Sequence, residues 1–240
     1  EIVIKKYTEM TENLIFKLEE NINKYKYGES LYKRLKTTKN STINKIYLLQ
    51  NICKNYGTLP FANLARMAFV AVEFLNSFET LKIISNDEKK HFLGTIKSVS
   101  HEMTKDLLRS KSKFLDKYGH LRPNTYEIST PSYKENYKNY FKKIKFTSKK
   151  PKKFIFNKKQ KNKINKFLKQ NNFKKTDPDL LINFIENSIY EREKSKLFFT
   201  KIVNEIFIQL KKLFKRIGLK EKDIQYLNIN KTLDLYEKYS

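Results

Sequence analysis

Beside the 25 carboxylates and the many lysines of this 240-residue chain, the side chains best suited to specific chemistry are scarce: three histidines (His91, His101, His120), one cysteine (Cys53), and six arginines among 51 basic residues. A single thiol closes no internal disulfide, and no zinc site can rest on thiolates. No HExxH pair, no His/carboxylate cluster at metal-ligand spacing, no glycine-rich phosphate loop and no nucleophile elbow is present. Spacing alone therefore describes no self-sufficient active site. His91 lies in a polar helical turn and reads as solvated, and His101, after Ser100 on a helix, reads as a surface or boundary residue. His120 differs. It shares a loop with Gly119, Arg122, Tyr126 and Glu127, and Pro123 and Pro131 limit that loop's freedom. An imidazole, a guanidinium and a carboxylate in one loop suit the orientation of a polar substrate or of a transferring phosphoryl group. The competing reading is structural: Arg122 pairs with Glu127, His120 bonds a backbone carbonyl, and both hold the loop shut.

The elements that must position this loop are helical by periodicity. Residues 5–25 predict a polar helix with apolar points at Leu14, Ile15, Leu18 and Ile22, followed by a lysine-rich turn at 25–32 around Gly28. A helix from about 41 carries Ile43, Ile46, Leu49 and Ile52 and is expected to stop at Gly57. The next, at 59–84, has an inner face of Leu64, Met67, Ala68, Ala71, Val72 and Leu75, with Phe69, Val70 and Phe74 round the other side, and is expected to be central. Ser85 and Glu88 have the spacing of a capping box opening a helix over 86–110. Gly119 ends a short helix, and 118–132 is a structured loop. Tyr133–Phe146 is a basic helical candidate, Phe154–Phe156 a candidate short strand, and 147–157 an exposed connector. A helix is expected at 158–170. Asp177-Pro178 is a start signal for apolar periodicity running to Ile217, as one helix or as two broken near 190–196. Short helices at 220–226 and 230–238 finish the chain. The reading is an all-α fold: one helical domain of several packed helices, with little or no sheet.

Composition bounds the classes. Only 5 glycines and 5 prolines argue against a sandwich or barrel of many short strands, and 39% hydrophobic residues with 14% aromatics argue against disorder. No apolar run approaches the length of a bilayer span, so no membrane is expected. The single cysteine fits a reducing cytoplasm. The start EIVIKKYTEM has neither an initiator Met nor a signal-peptide core, and reads as the start of a piece of a longer protein. The formal charge of +26 ordinarily suggests nucleic acid. But six arginines among the 51 basic residues leave 45 lysines, accompanied by abundant Asn, Ile, Phe and Tyr, which reads as compositional bias over a solvated surface. Nucleic acid is therefore an unlikely partner. The alternative of a basic module gripping RNA or an acidic protein rests on lysines in 142–163 interleaved with Phe141, Phe146, Phe154 and Phe156.

Three blocks, GTLPFANLARMAFVAVEFLNSF (57–78), FLDKYGHLRPNTYEISTPSY (114–133) and REKSKLFFT (192–200), resemble the central helical region of proteins related to phosphoenolpyruvate synthase and pyruvate phosphate dikinase. The tail RIGLKEKDIQYLNINKTLDLY is similar to the end of that region. The likeness is strongest to the branch found in capsule and surface-polysaccharide gene clusters, which includes L-glutamine kinase. The GHLRP–TYEI block is the most specific; it departs from the usual pattern at Asn124, where Gly is common, and at Ser132, where Arg is frequent. The resemblance implies an ATP-dependent phosphotransferase in which an ATP-grasp domain binds ATP and Mg2+ and a mobile domain carries a phosphohistidine. The central region would present the acceptor, L-glutamine in the favoured case. Both other domains would be partners outside this segment, and the segment itself would hold no cofactor. Neither ATP-grasp motifs nor the phosphohistidine loop occurs here, and His101 is rejected as the carrier because no Gly-Gly precedes it. On this reading Glu127 and His120 are the catalytic candidates. Arg122, Arg66, Arg192 and Tyr126 are the substrate-binding candidates, the arginines as bidentate partners of a carboxylate or phosphoryl group. No residue is assigned to a metal.

Overall fold

A computed structural model describes residues 2–142, 152–216 and, of the tail, residues 218, 221–224, 226, 228, 231 and 234. The chain is 76% helical, with no strand among the described residues. Its helices are α1 (Ile2–Phe16), α2 (Leu18–Thr37), α3 (Thr42–Ile52), α4 (Leu59–Thr80), α5 (Asn86–Thr95), α6 (Val99–Arg109), α7 (Lys111–Tyr118), α8 (Tyr137–Tyr140), α9 (Lys158–Gln170), α10 (Pro178–Arg216) and α11 (Glu221–Ile224).

Several expected breaks are bridged. No turn forms at 25–32: α2 runs straight through Gly28, which is glycine because of its neighbours rather than a bend. A Cβ there would sit 2.5 Å from the Tyr56 Cβ and 3.0 Å from the Phe198 ring. Gly57 likewise does not end α3. A π-helical segment, Cys53–Thr58, carries the chain directly into α4. The reason lies at Pro60, whose ring and missing N–H an unbroken α-helical register rejects; widening the preceding turn accommodates it. The joined helix over Thr42–Thr80 is long enough and apolar enough, at a mean hydropathy of 1.3 in an 18-residue window, to cross a membrane by length and composition. That departs from the expectation drawn from uninterrupted apolar runs. Leu64, Met67 and Leu75 of this helix are buried in the fold, and 39% of the apolar window as a whole is buried.

Other expected helices are shorter. The 86–110 helix is two, α5 and α6, separated at Ile96, where the backbone turns extended. The Ser85–Glu88 capping box is formed in both directions. Of Tyr133–Phe146 only α8 is helical among the described residues. Residues 147–151 of the expected connector lie outside the described residues. Phe154–Phe156 forms no strand: Phe156 packs on Phe92 at 5.2 Å between ring centroids, so apolar contact rather than a ladder holds it. By contrast the 178–217 pattern is one 39-residue helix. Asp177 caps it through the Leu180 N–H at 2.8 Å, and Gly218 follows it at a φ of +80°. The polar stretch near 190–196 does not break it. There, Tyr190 donates to Glu102 at 3.0 Å, and Glu193 accepts the Val99 N–H at 2.8 Å. Most of the expected 230–238 helix lies outside the described residues.

The chain gathers into two compact units. The first comprises 1–23, 61–102 and 147–194, and the second 24–60, 103–146 and 195–240. In the first, α4 buries Leu64, Met67, Ala68, Ala71, Leu75 and Phe78, at 2% exposure or less. Val72 and Phe69 face outward, at 36% and 66% exposure. Its burial is therefore one broad face, extended by Phe74, whose ring packs edge-on against Phe167 and Phe173. In the second unit Phe114 and Tyr118 of α7 are fully buried, with Tyr133, Tyr137 and Phe141 around Phe114. The last part of α10 buries Phe199, Ile202, Ile206 and Phe214.

Candidate functional site

The loop after α7 is built by backbone closure. Tyr133 N–H donates to the Leu121 carbonyl at 2.7 Å and Lys134 N–H to the Gly119 carbonyl at 2.9 Å, so residues 119–134 form a closed lobe of the second unit. Ser132, buried, makes a reciprocal cap with Glu135: its N–H donates to the carboxylate at 2.6 Å and its hydroxyl accepts the Glu135 N–H at 3.3 Å. Serine thus has a capping role at this position. Asn124 reaches Thr130 Oγ1 at 3.5 Å across the lobe's tip.

Arg122 is the lobe's internal clamp. It is 7% exposed. Its Nη1 donates to the carbonyls of Glu127 at 3.3 Å and Thr130 at 3.0 Å, its Nη2 donates to Asn204 Oδ1 of α10, and its guanidinium lies 5.0 Å from the Phe207 ring centroid. Burial lowers its pKa from the ordinary value, opposed by the charge of Glu135. The anticipated Arg122–Glu127 carboxylate pair is replaced by a bond to the Glu127 carbonyl. The Glu127 carboxylate turns instead to Ser129, accepting its hydroxyl at 2.8 Å and its N–H at 3.2 Å. Those bonds hold its pKa below the usual carboxylate range. Tyr126 is 72% exposed.

His120 occupies a different environment. Its Nε2 lies 3.1 Å from the Leu197 carbonyl and 3.4 Å from Thr200 Oγ1, both on α10. A carbonyl accepts only, so Nε2 carries the proton and Nδ1 the lone pair. The Thr200 hydroxyl is directed to the Lys196 and Leu197 carbonyls. Burial, then the positive charge of Lys201, then Arg122 and Lys36, press the His120 pKa down to about 4 against the pull of the Leu197 carbonyl. Lys201 is lowered as well, by burial and by Lys36 and Lys33, with Glu29 and Asp116 opposing. The result is a neutral, tautomer-locked imidazole among cations.

Of the six residues singled out in the sequence, His120, Arg122, Tyr126 and Glu127 share this lobe. Arg66 and Arg192 belong to the first unit: Arg66 is exposed on α4 and donates to Asn63 Oδ1 at 3.4 Å, and Arg192 lies 3.9 Å from Glu193. Lys201, Lys36, Asn204 and Phe207 were not anticipated. The usable signal was on α10, where Asn204 follows Thr200 by one helical turn and so shares its face. Beside the lobe lies an apolar crevice of about 250 Å3, lined in part by Met103, Leu107, Pro123, Tyr133 and Tyr140. The Tyr140 hydroxyl is already given to the Pro131 carbonyl at 2.9 Å. His91 bonds the Lys152 carbonyl at 2.6 Å, His101 is exposed, and burial pushes the Cys53 thiol up to about 11, making it unreactive. No group of three or more His, Cys, Asp or Glu that could hold a metal ion exists among the described residues. The chain matches no protein-family model, no curated protein and no solved structure.

Proposed function

We propose that this chain is the acceptor-handling helical region of an ATP-dependent dikinase-type phosphotransferase of the phosphoenolpyruvate synthase-like class, with the side-chain amide of L-glutamine as acceptor. One observation carries the reading. Residues from the three separately resembling blocks meet at one stretch of α10: Gly57 packs against Phe199, a Cβ there falling 2.9 Å from the Phe199 Cβ, while His120 bonds Leu197. The blocks are far apart in sequence, and a shared site is one reason for them to co-occur.

Within this reading the chemistry falls to His120. An amide nitrogen is a weak nucleophile because its lone pair is delocalised, so transfer needs a positioned base. His120 Nδ1 takes the amide proton as the nitrogen–phosphorus bond forms and the bond from phosphorus to the carrier histidine breaks. Nε2–H, tied to Leu197, fixes the ring. Lys201 and Lys36 supply positive charge for phosphoryl oxygens or the acceptor carboxylate. Glu127, whose carboxylate is already engaged by Ser129, is assigned to the substrate ammonium. Arg122 is a positioning residue. ATP and Mg2+ belong to a further domain, and the compartment is the cytoplasm. The test on this chain is a titration with L-glutamine followed by the His120 ring resonances. Saturable shifts with a Kd below about 1 mM, weaker with L-asparagine, are expected. Unmoved His120 resonances under L-glutamine would refute the acceptor assignment.

A further inference from the structure

α9 lies in the first unit and has the sequence KKQKNKINKFLKQ, with six lysines in 13 residues and no carboxylate. The helix is sharply two-faced. Gln160, Ile164 and Leu168 are buried, and the Phe167 ring packs edge-on against Phe78 at 5.9 Å between centroids. Lys158, Lys159, Lys163, Lys166 and Lys169 are exposed on the opposite side. Four of them, with Asn162, line one shallow concavity.

Charge is left uncompensated along this face. Two carboxylates among the described residues reach α9: Glu88 accepts from Gln160 on the buried side at 2.9 Å, and Asp179 pairs with Lys161 at 2.5 Å. Lys163 donates to the Lys82 carbonyl, which fixes an ammonium without neutralising it. Among the described residues no ion pair reaches Lys158, Lys159, Lys166 or Lys169. The helix also begins at its positive pole with Lys158 and Lys159 and has no acid in its first turn, although acids are the favourable residues there. Such a local conflict, kept in a well-capped helix, is expected where a ligand resolves it. Compositional bias supplies many lysines, and the buried face of α9 turns them to solvent, but the helix adds no carboxylate of its own to balance its six.

We infer that the lysine face of α9 is a docking surface for duplex nucleic acid, read through its phosphates without sequence preference. From Lys158 to Lys169 the axis rises about 17 Å, which is the length of about five successive phosphates on one strand. Five ammonium groups over that length match the phosphate spacing along one strand of a duplex, which is half the charge density of both strands together. No arginine on α9 offers the fork that reads guanine edges. The phenylalanines that would stack single-stranded bases are turned inward: Phe154 and Phe156 pack on Phe92, and Phe141 packs on Phe114. Point charges without a stacking platform favour the stacked duplex over a single strand.

The test uses the whole 240-residue chain and a fluorescent 20-base-pair DNA duplex, followed by anisotropy across a salt series. One variant is Lys159→Gln, Lys166→Gln and Lys169→Gln together. Its charge-matched control is Lys26→Gln, Lys39→Gln and Lys54→Gln, three exposed lysines of the second unit. Unchanged melting of both variants establishes that each is folded. The expected result is a wild-type Kd between about 1 and 100 µM at physiological salt. The α9 variant is expected to weaken it at least about tenfold and to flatten the log–log salt slope by about 3, and the control by less than about threefold. Equal losses in both variants would overturn the assignment, since binding would then follow net charge alone. So would displacement of the duplex by polyglutamate at equal charge concentration, which would make the occupant an acidic polypeptide. Tighter binding of a single-stranded 20-mer would overturn it too.

Discussion

Lowering the pH from 7.5 to 5 removes stability through one residue, His120, and the size of the loss follows from its surroundings. An unfolded chain leaves a histidine near its ordinary pKa of about 6.5. Burial and the charges of Lys201, Arg122 and Lys36 bring the folded value to about 4. The folded pKa is depressed, so between those two values the unfolded state binds the proton and the folded state does not. His120 therefore contributes its full stability above pH 6.5, and the contribution falls as pH drops towards 4. Integration gives a loss of about 2 kcal/mol by pH 5 and about 3 kcal/mol by pH 4. The assay is urea unfolding at stepped pH for the wild type and for His120→Gln, which cannot titrate. The carboxylates, Glu127 and Glu135 among them with pKa values held below the usual range, are common to both proteins, so the difference between the two curves isolates the imidazole. A difference that narrows by about 2 kcal/mol from pH 7.5 to pH 5 is expected. Parallel curves would mean that His120 is protonated as in water, and would refute the neutral-base geometry.

Three substitutions test the packing beneath that geometry. Leu75→Asp places a carboxylate where the side chain is fully buried on α4, and a loss of at least about 4 kcal/mol in urea unfolding is expected. Gly28→Ala forces a methyl within 2.5 Å of the Tyr56 Cβ, with an expected cost of about 1–3 kcal/mol despite alanine's better helix propensity. Arg122→Lys keeps the charge but cannot reach the Glu127 and Thr130 carbonyls and Asn204 together, so a lower melting temperature is expected, with the loss concentrated in protection of amides 119–134 against hydrogen exchange.

The helical class was legible because its signals are local. Ser85–Glu88 and Asp177-Pro178 announce helix starts by short-range hydrogen bonds, and the Leu64–Leu75 periodicity announces a buried face. Gly28 and Gly57 misled for the converse reason. As punctuation they suggest turns, but both are glycines because Tyr56, Phe198 and Phe199 approach closely, a fact set by tertiary packing. The break at Ile96 had no residue of its own to mark it. At the candidate site, concentration of chemistry in 119–127 was readable, and so was the bond of His120 to a backbone carbonyl. What Arg122 does was not. Its three acceptors include two loop carbonyls and Asn204 from 82 residues away, and only the folded lobe brings them together. Nor does sequence reveal that Lys201 and Lys36 stand near enough to His120 to lower its pKa.

The central claim, transfer of a phosphoryl group to an amide nitrogen with His120 as base, is tested most directly by phosphorus NMR on the full-length protein with ATP, Mg2+ and L-glutamine. The prediction is a phosphoramidate resonance that requires L-glutamine and that His120→Gln slows at least about a hundredfold, the usual contribution of a positioned general base. Equal rates for wild type and His120→Gln, or nucleotide turnover with no phosphorus–nitrogen product, would contradict it.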